Sequence, residues 1–280
     1  MSARPDINKL KKEAVCVRKD ILTMLEAAGS GHPGGSLSCV ELIMGLYYYK
    51  LKHDPKKPFL KNRDRFILSK GHGCPCLYTV LAHQGYFPRE ELLTLRKLGS
   101  KLQGHPDKSH LPILEATTGS LGQGLSIANG IALAAHLDRL GIRIYCLLGD
   151  GELNEGQIWE AMMTASHYKL DNLCAIVDYN KYQIDGPVKE VKNLEPLVKK
   201  WEAFNWHVIE INGHALEEIM DAYDEAEKIK GKPTVIIAHT TKGKGVSFME
   251  NSLDWHGVAP TKEHLEKACK ELDEAGDELG

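Results

Sequence analysis

The sequence predicts an α/β fold: a doubly wound, mostly parallel sheet with helices on both faces. Two observations carry this expectation. In the second half, four apolar-rich runs (142–148, 173–178, 206–211, 234–238) alternate with helical patterns at 157–168, 194–204 and 216–230. Strands separated by helices run parallel and are covered on both faces, which explains their apolar content. In addition, polar and glycine residues gather where strands end: Ser69-Lys70-Gly71-His72, Gly149-Asp150-Gly151, Asp178-Tyr179-Asn180 and the run from His239 to Gly245. In open parallel sheets, ligands bind beyond the carboxyl ends of the strands.

The elements follow in order. Leu10, Ala14, Val17, Ile21 and Leu25 recur at helical spacing and stop at Gly29. Residues 39–52 read as a second helix, closed by Asp54-Pro55. Residues 66–68 form a short strand, followed by a helix near 75–84. Residues 122–140 read as a helix of small residues, able to pack closely on a sheet. The alternating strands and helices come next, and residues 260–280 read as a polar helix and tail. The expected organisation is one domain over 1–280, with a mainly helical first part (1–65) and the polar end (260–280).

Bulk properties narrow the function. A chain of 280 residues can bury a sizeable core. A net charge of -3 offers no electrostatic basis for binding nucleic acid or an anionic membrane. Cys16, Cys39, Cys74, Cys76, Cys146, Cys174 and Cys269 make an odd set without repeated spacing. They read as reduced cysteines, several of them in the core, and not as a disulfide framework. Cys74-Pro75-Cys76 is too close for a usual zinc pair and has no second pair. The first twelve residues are polar and charged, unlike a signal peptide, and no apolar run approaches a membrane span of ~20 residues. The expected location is cytoplasmic.

Asp150 places a hard carboxylate at a strand end, between glycines that let the backbone come close to a ligand. Asn180 follows thirty positions later at the next strand end, and one helix–strand crossover can bring the two together. One carboxylate, one amide oxygen and a backbone carbonyl make an incomplete cage. That suits Mg²⁺ that keeps water and takes further ligands from a phosphorylated cofactor. His32, His72, His105 and His256 each sit beside glycine or proline in a loop-like segment. Imidazole can hold and deprotonate hydroxyl groups near neutral pH. His53, His83, His110, His136, His167, His207, His214 and His264 read as surface or capping residues, while His239 lies at a strand end outside the pattern. Gly243-Lys244-Gly245 lacks the spacing of a nucleotide phosphate loop, and the histidines lack the spacing of a metal hydrolase.

Gly149-Asp150-Gly151 with 28 residues before Asn180 resembles the thiamine-diphosphate motif, and the run GDGELNEGQIWEAMMTASHYKLDNLCAIVDYN resembles transketolases. SGHPGGSLS (30–38), LSKGHGCPCLY (68–78), GHPD (104–107), TTGSLGQGLSIANG (117–130), TTKGKG (240–245) and WHG (255–257) extend the likeness in the family's order. The resemblance implies the thiamine-diphosphate-binding fold of the diphosphate-binding (PP) type. It implies that Asp150, Asn180 and the backbone oxygen of Tyr182 bind Mg²⁺, with Ca²⁺ or Mn²⁺ able to substitute. Tyr179 stands where the family often has a second Asn or Asp. Gly149, Gly151, Asn180, His72 and Lys242 would surround the diphosphate, Gly119, Leu121 and Gly122 would line the cofactor, and Ile184 would press on the thiazolium.

The resemblance further implies that His32, His72, His105 and His256 are active-site histidines, and that Glu155 and Glu160 lie at a subunit interface linking two active sites. Acids at a helix start also need no function beyond the helix dipole. The likeness covers only the first domain of a whole transketolase. It therefore implies a separate C-terminal subunit that binds the aminopyrimidine, two of each chain, and transfer of a two-carbon ketol unit between sugar phosphates. The alternatives are one chain of a deoxyxylulose-phosphate synthase or of a 2-oxo-acid dehydrogenase of the alpha type, and a non-catalytic cofactor-binding regulatory module. The histidines and the WHG segment favour transketolase.

Overall fold

A computed structural model describes residues 4–279. The first three residues of the polar N-terminal stretch and the final Gly280 of the tail lie outside the described residues. Helix α1 (Ile7–Ala28) opens at Asp6, whose side chain accepts from the amides of Asn8 and Lys9, and closes at Gly29 in the left-handed region (φ 62°). Its expected apolar stripe, Leu10 to Leu25, is buried.

The second expected helix differs. Within 39–52, α3 (Val40–Gly45) passes into a wider π turn over Leu46–Lys50, and a short helix that the sequence pattern does not show, α2 (Pro33–Leu37), precedes it. Proline at the first helical position starts α2, because its missing N–H has no partner to lose there. The two glycines that follow allow close approach. A Cβ on Gly34 would lie 3.0 Å from Lys242 Cγ, and one on Gly35 would lie 3.1 Å from His72 Cδ2. Helix α2 therefore brings loops of the site against its backbone, which periodicity does not register.

Strand β1 (Arg65–Leu68) leads through a tight turn into α4 (Cys74–His83). After a long connection come α5 (Gly124–Leu137), β2 (Ile144–Gly149), α6 (Gly156–His167) and β3 (Leu173–Tyr179). A small antiparallel pair, β4 (Tyr182–Gln183) and β5 (Gly186–Pro187), and α7 (Val188–Val191) then appear where the sequence pattern shows no element. The chain continues through α8 (Leu197–Ala203), β6 (His207–Asn212), α9 (Leu216–Lys228), β7 (Thr234–His239) and α10 (Lys262–Asp277).

The five-stranded sheet has the order β1-β2-β3-β7-β6, and every pairing in it is parallel. Alternate side chains point to opposite faces. Tyr145, Leu147, Ile176 and Ile236 pack with α1, α3, α4 and α9. Cys146, Leu148, Ala175 and Ile237 pack with α5, α6 and α8. Cys39, Cys74, Cys76, Cys146 and Cys174 are buried, and all seven cysteines are free. Among the described residues, no helix is long and apolar enough to cross a membrane.

The chain leaves β3 toward the α8 layer and leaves β7 toward the α1 layer. The carboxyl ends of these neighbouring strands thus diverge, which opens a crevice at the edge where the polar turns converge.

Candidate active site

A cavity of about 390 Å³ opens at this edge. His32, His72, His105 and His256 line it, with Gly119, Leu121, Gly149, Asp150, Gly151, Glu155, Asn180, Tyr182, Ile184 and Lys242. Of the expected site residues, Gly122 and Glu160 do not line it. Gly122 supports the wall from behind, at φ 89°, where a Cβ would meet Glu155 Cβ at 2.8 Å. Glu160 is exposed on α6, and Glu155, also exposed, stands at the cavity rim where α6 begins.

One part of the cavity carries a buried carboxylate, an amide side chain and a lysine. Asp150 is 2 % exposed. Its Oδ1 accepts from the Gly151 amide at 2.7 Å, and its Oδ2 from the Lys181 amide. Burial, and then the charge of Asp178, push its carboxyl up to about 7. Asn180 is buried beside it, with Oδ1 accepting from the Tyr182 amide at 3.1 Å and Nδ2 donating to Asp178 at 3.4 Å. Asp178 lies beneath, paired with Lys70 and accepting from Ser38 Oγ at 2.6 Å and from Thr240 Oγ1. Lys242 is 2 % exposed, and its Nζ lies 2.6 Å from His256 Nδ1. Burial and the nearby Lys70 lower its ammonium to about 8.

Against Lys242 lies a histidine cluster. The His32 ring lies 5.4 Å from that of His72, 6.0 Å from His105 and 5.7 Å from His256. Burial comes first in lowering all four. Nearby positive charge adds to it, from Arg96 at His32 and His105, from Lys70 at His72, and from Lys242 at His256. His32 and His256 fall to about 4. These are neutral imidazoles at pH 7, able to accept or relay hydroxyl protons. His105 is held from behind: Tyr78 Oη donates to the carbonyls of Gln103 and His105, each at 3.1 Å. Gly119, at φ 153°, packs on this ring: a Cβ there would lie 3.2 Å from His105 Cγ.

The family model described as "Transketolase, thiamine diphosphate binding domain" matches residues 11–275. This chain belongs to the transketolase family. It is 48 % identical over 267 residues to the 6-deoxy-6-sulfo-D-fructose transketolase subunit of Clostridium sp. (strain MSTE9), covering 95 % of this chain and 97 % of that one. It is 44 % identical over 262 residues to an apulose-4-phosphate transketolase subunit of Phocaeicola vulgatus, covering 94 % and 93 %. The crystal structure of the Campylobacter jejuni transketolase superposes with a TM-score of 0.90 at 39 % identity, over 96 % of this chain but 43 % of that one. The expectation of the transketolase N-terminal, thiamine-diphosphate-binding unit is borne out, and so is the doubly wound parallel fold.

The transketolase site also uses residues that no motif singled out. Glu152, 2 % exposed, accepts from Ser69 Oγ, from the Gly122 amide at 2.8 Å and from the Gly149 amide at 2.9 Å. It ties the loops after β1 and β2 to the small-residue turn. Its only sequence signal was an acid two positions after Asp150. Three buried nitrogens, His32 Nδ1, Asn154 Nδ2 and Gln183 Nε2, have no partner among the described residues, and their side chains line the cavity. They suit an oxygen-rich ligand, which would satisfy them. A divalent cation would suit the same part of the cavity, since it would supply the positive charge that the buried Asp150 carboxyl lacks. Among the described residues, no three His, Cys, Asp or Glu side chains are grouped to hold a metal, and the expected set contains one such side chain, Asp150.

The remaining histidines divide. His264 caps α10, as expected. His239 bonds Glu210 at 3.0 Å, outside the cavity lining. His83 and His214 depart from the surface reading. His83 bridges Glu13 and Asp20 at 2.7 Å each, and His214 bonds buried Glu41 at 3.0 Å.

Proposed function

We propose that this chain is the diphosphate-binding subunit of a two-chain transketolase. Together with a C-terminal subunit that binds the aminopyrimidine, it moves a two-carbon ketol unit from a ketose phosphate to an aldose phosphate. The observation that carries the reading is one cavity that sets Asp150, Asn180 and Lys242 beside four neutral histidines. The histidine cluster supports a sugar substrate over the 2-oxo acids of the dehydrogenase alternative. The two relatives, one named for a sulfo-sugar and one for a sugar phosphate, support an anionic ketose as donor.

Bound thiamine diphosphate supplies the carbon nucleophile that cleaves and re-forms the bond beside the ketose carbonyl. This chain's residues do the rest of the work at that end. Asp150, Asn180 Oδ1 and the Tyr182 carbonyl would hold Mg²⁺, or Ca²⁺ or Mn²⁺ in its place, leaving positions for diphosphate oxygens. Lys242, His72, Gly149 and Gly151 would face the diphosphate, Gly119, Leu121 and Gly122 would support the ring system, and Ile184, 69 % exposed, would press on the thiazolium. His32, His105 and His256 would hold the sugar and take its hydroxyl protons. Glu155 and Glu160 would reach a neighbouring subunit in an assembly of two of each chain. The single-domain organisation and a cytoplasmic location belong to the same reading, and the free cysteines support the latter.

The test is a tagged pull-down from native lysate, followed by a ketol-transfer assay on the recovered complex with cofactor and Mg²⁺. A stoichiometric second chain and turnover are expected, and Asp150→Ala should abolish cofactor binding in that complex. Full cofactor affinity and activity in Asp150→Ala would sink the metal assignment. A chain that stays alone with cofactor and metal added would sink the two-subunit reading.

A further inference from the structure

Behind Lys242, on the side away from the cavity, lies a buried polar chain that the reaction does not use directly. Glu41 of α3 and Arg18 of α1 form an ion pair at 2.7 Å, with side chains 9 % and 7 % exposed. Arg18 Nε also donates to the Lys244 carbonyl at 2.9 Å. His214 sits in the turn between β6 and α9. Its Nδ1 lies 3.0 Å from Glu41 Oε2, and its Nε2 accepts from the Thr241 amide at 2.8 Å. The turn is pressed on β7: the Gly213 amide donates to the His239 carbonyl at 2.9 Å, and a Cβ there would meet Thr240 Cγ2 at 2.4 Å.

The chemistry of the partners leaves one arrangement. A carboxylate only accepts, so Nδ1 carries the proton; a backbone amide only donates, so Nε2 offers its lone pair. Glu41 is suited to this. Burial raises its carboxyl, yet Arg18 and then His214 hold it down to about 2. The tautomer of His214 is therefore set from one side, and the position of Thr241 is set by the tautomer. Thr241 immediately precedes Lys242, and Arg18 grips Lys244 two residues beyond it. Two contacts from one buried carboxylate thus bracket the lysine.

We propose that Glu41 and His214 form a positioning relay that fixes the Thr241–Lys244 segment and so aims the Lys242 ammonium at the diphosphate end of the cavity. His214 is a positioning residue and not a catalytic one, since it touches neither the cavity nor its histidines. The relay rests on the reading that Lys242 faces the diphosphate.

The first test needs no variant beyond the one used for assignment. Long-range ¹H–¹⁵N correlation of the ¹⁵N-histidine-labelled chain reports which ring nitrogen carries each proton, with His214 assigned by its loss in His214→Asn. The Nδ1–H tautomer is expected, and an Nε2–H or doubly protonated ring overturns the relay. The second test measures thiamine-diphosphate affinity at fixed Mg²⁺ in the assembled two-chain enzyme. Asparagine reaches only the place of Nδ1, so His214→Asn keeps the bond to Glu41 and loses the acceptor for Thr241. Affinity should fall by about ten- to a hundredfold, the range in which outer hydrogen bonds act on a bound group. Glutamine reaches the place of Nε2, so His214→Gln should restore most of it. In a Lys242→Met background, His214→Asn should add no further loss. An unchanged affinity in Lys242→Met overturns the diphosphate reading and the relay with it. A weakened Lys242→Met beside an unchanged His214→Asn overturns the relay alone.

Discussion

Replacing Lys70 by methionine should be among the most destabilising single changes at the site, although Lys70 is not expected to touch substrate. Lys70 is 1 % exposed and Asp178 is 0 % exposed. Lys70 Nζ donates to Asp178 Oδ2 and to the Gly35 carbonyl at 2.7 Å. Lys70→Met keeps most of the side-chain volume and leaves Asp178 as a buried carboxylate without its cation. Breaking one side of such a pair costs about 3–5 kcal/mol. Ser38 Oγ and Thr240 Oγ1 still donate to Asp178, so the loss belongs near the lower end, about 3 kcal/mol. For a chain of this size that lowers the melting temperature by roughly 5–8 °C.

The assay is urea unfolding followed by circular dichroism, with cofactor and metal removed so that ligand binding does not mask the change. Lys70→Met combined with Asp178→Leu removes both charges, and should recover at least half of the loss, because replacing a buried pair by apolar groups is close to neutral. A loss under ~1 kcal/mol in Lys70→Met, or simple additivity in the double variant, would refute the reasoning that this pair is held by mutual desolvation.

Further expectations follow from the same geometry. His105→Ala should spare cofactor affinity and reduce kcat by about 10²–10⁴, the range of a lost proton-transfer group, as read by steady-state kinetics beside calorimetric binding. Tyr78→Phe removes the hydroxyl that holds the Gln103 and His105 carbonyls. It should cost about 1–2 kcal/mol in urea unfolding and lower kcat while leaving cofactor affinity unchanged. The lowered values of His32 and His256, about 4, mean that the unfolded chain binds more protons below the ordinary histidine value. Their contribution to stability is full above pH ~6.5 and is lost as pH falls toward 4. His83 acts with the opposite sign. Although burial lowers it, Asp20 and Glu13 raise it above its ordinary value, so its contribution is present below pH ~6.5 and is lost as pH rises through the raised value. Unfolding at pH 5, 6 and 7 for wild type and His83→Gln separates the two, since only the acid-side loss should survive the substitution.

The sequence by itself determined the five strands of the parallel sheet, most of the helices and the polar loops at the strand ends. Apolar periodicity, helix caps and glycines at strand ends act over a few residues, so the stripe from Leu10 to Leu25 and the Asp150–Asn180 pair were readable without coordinates. Helix α2 was not readable, because its Gly34 and Gly35 pack closely on the side chains of Lys242 and His72, of which Lys242 lies far along the chain. The same holds for Glu152 and His214. Each looks ordinary in its own segment, and each acquires its role from partners on other elements. The neutral state of the four histidines and the raised carboxyl of Asp150 were likewise decided only by tertiary structure. Burial and charge are summed over everything that surrounds a group, and the fold brings those neighbours from distant parts of the chain to one sheet edge.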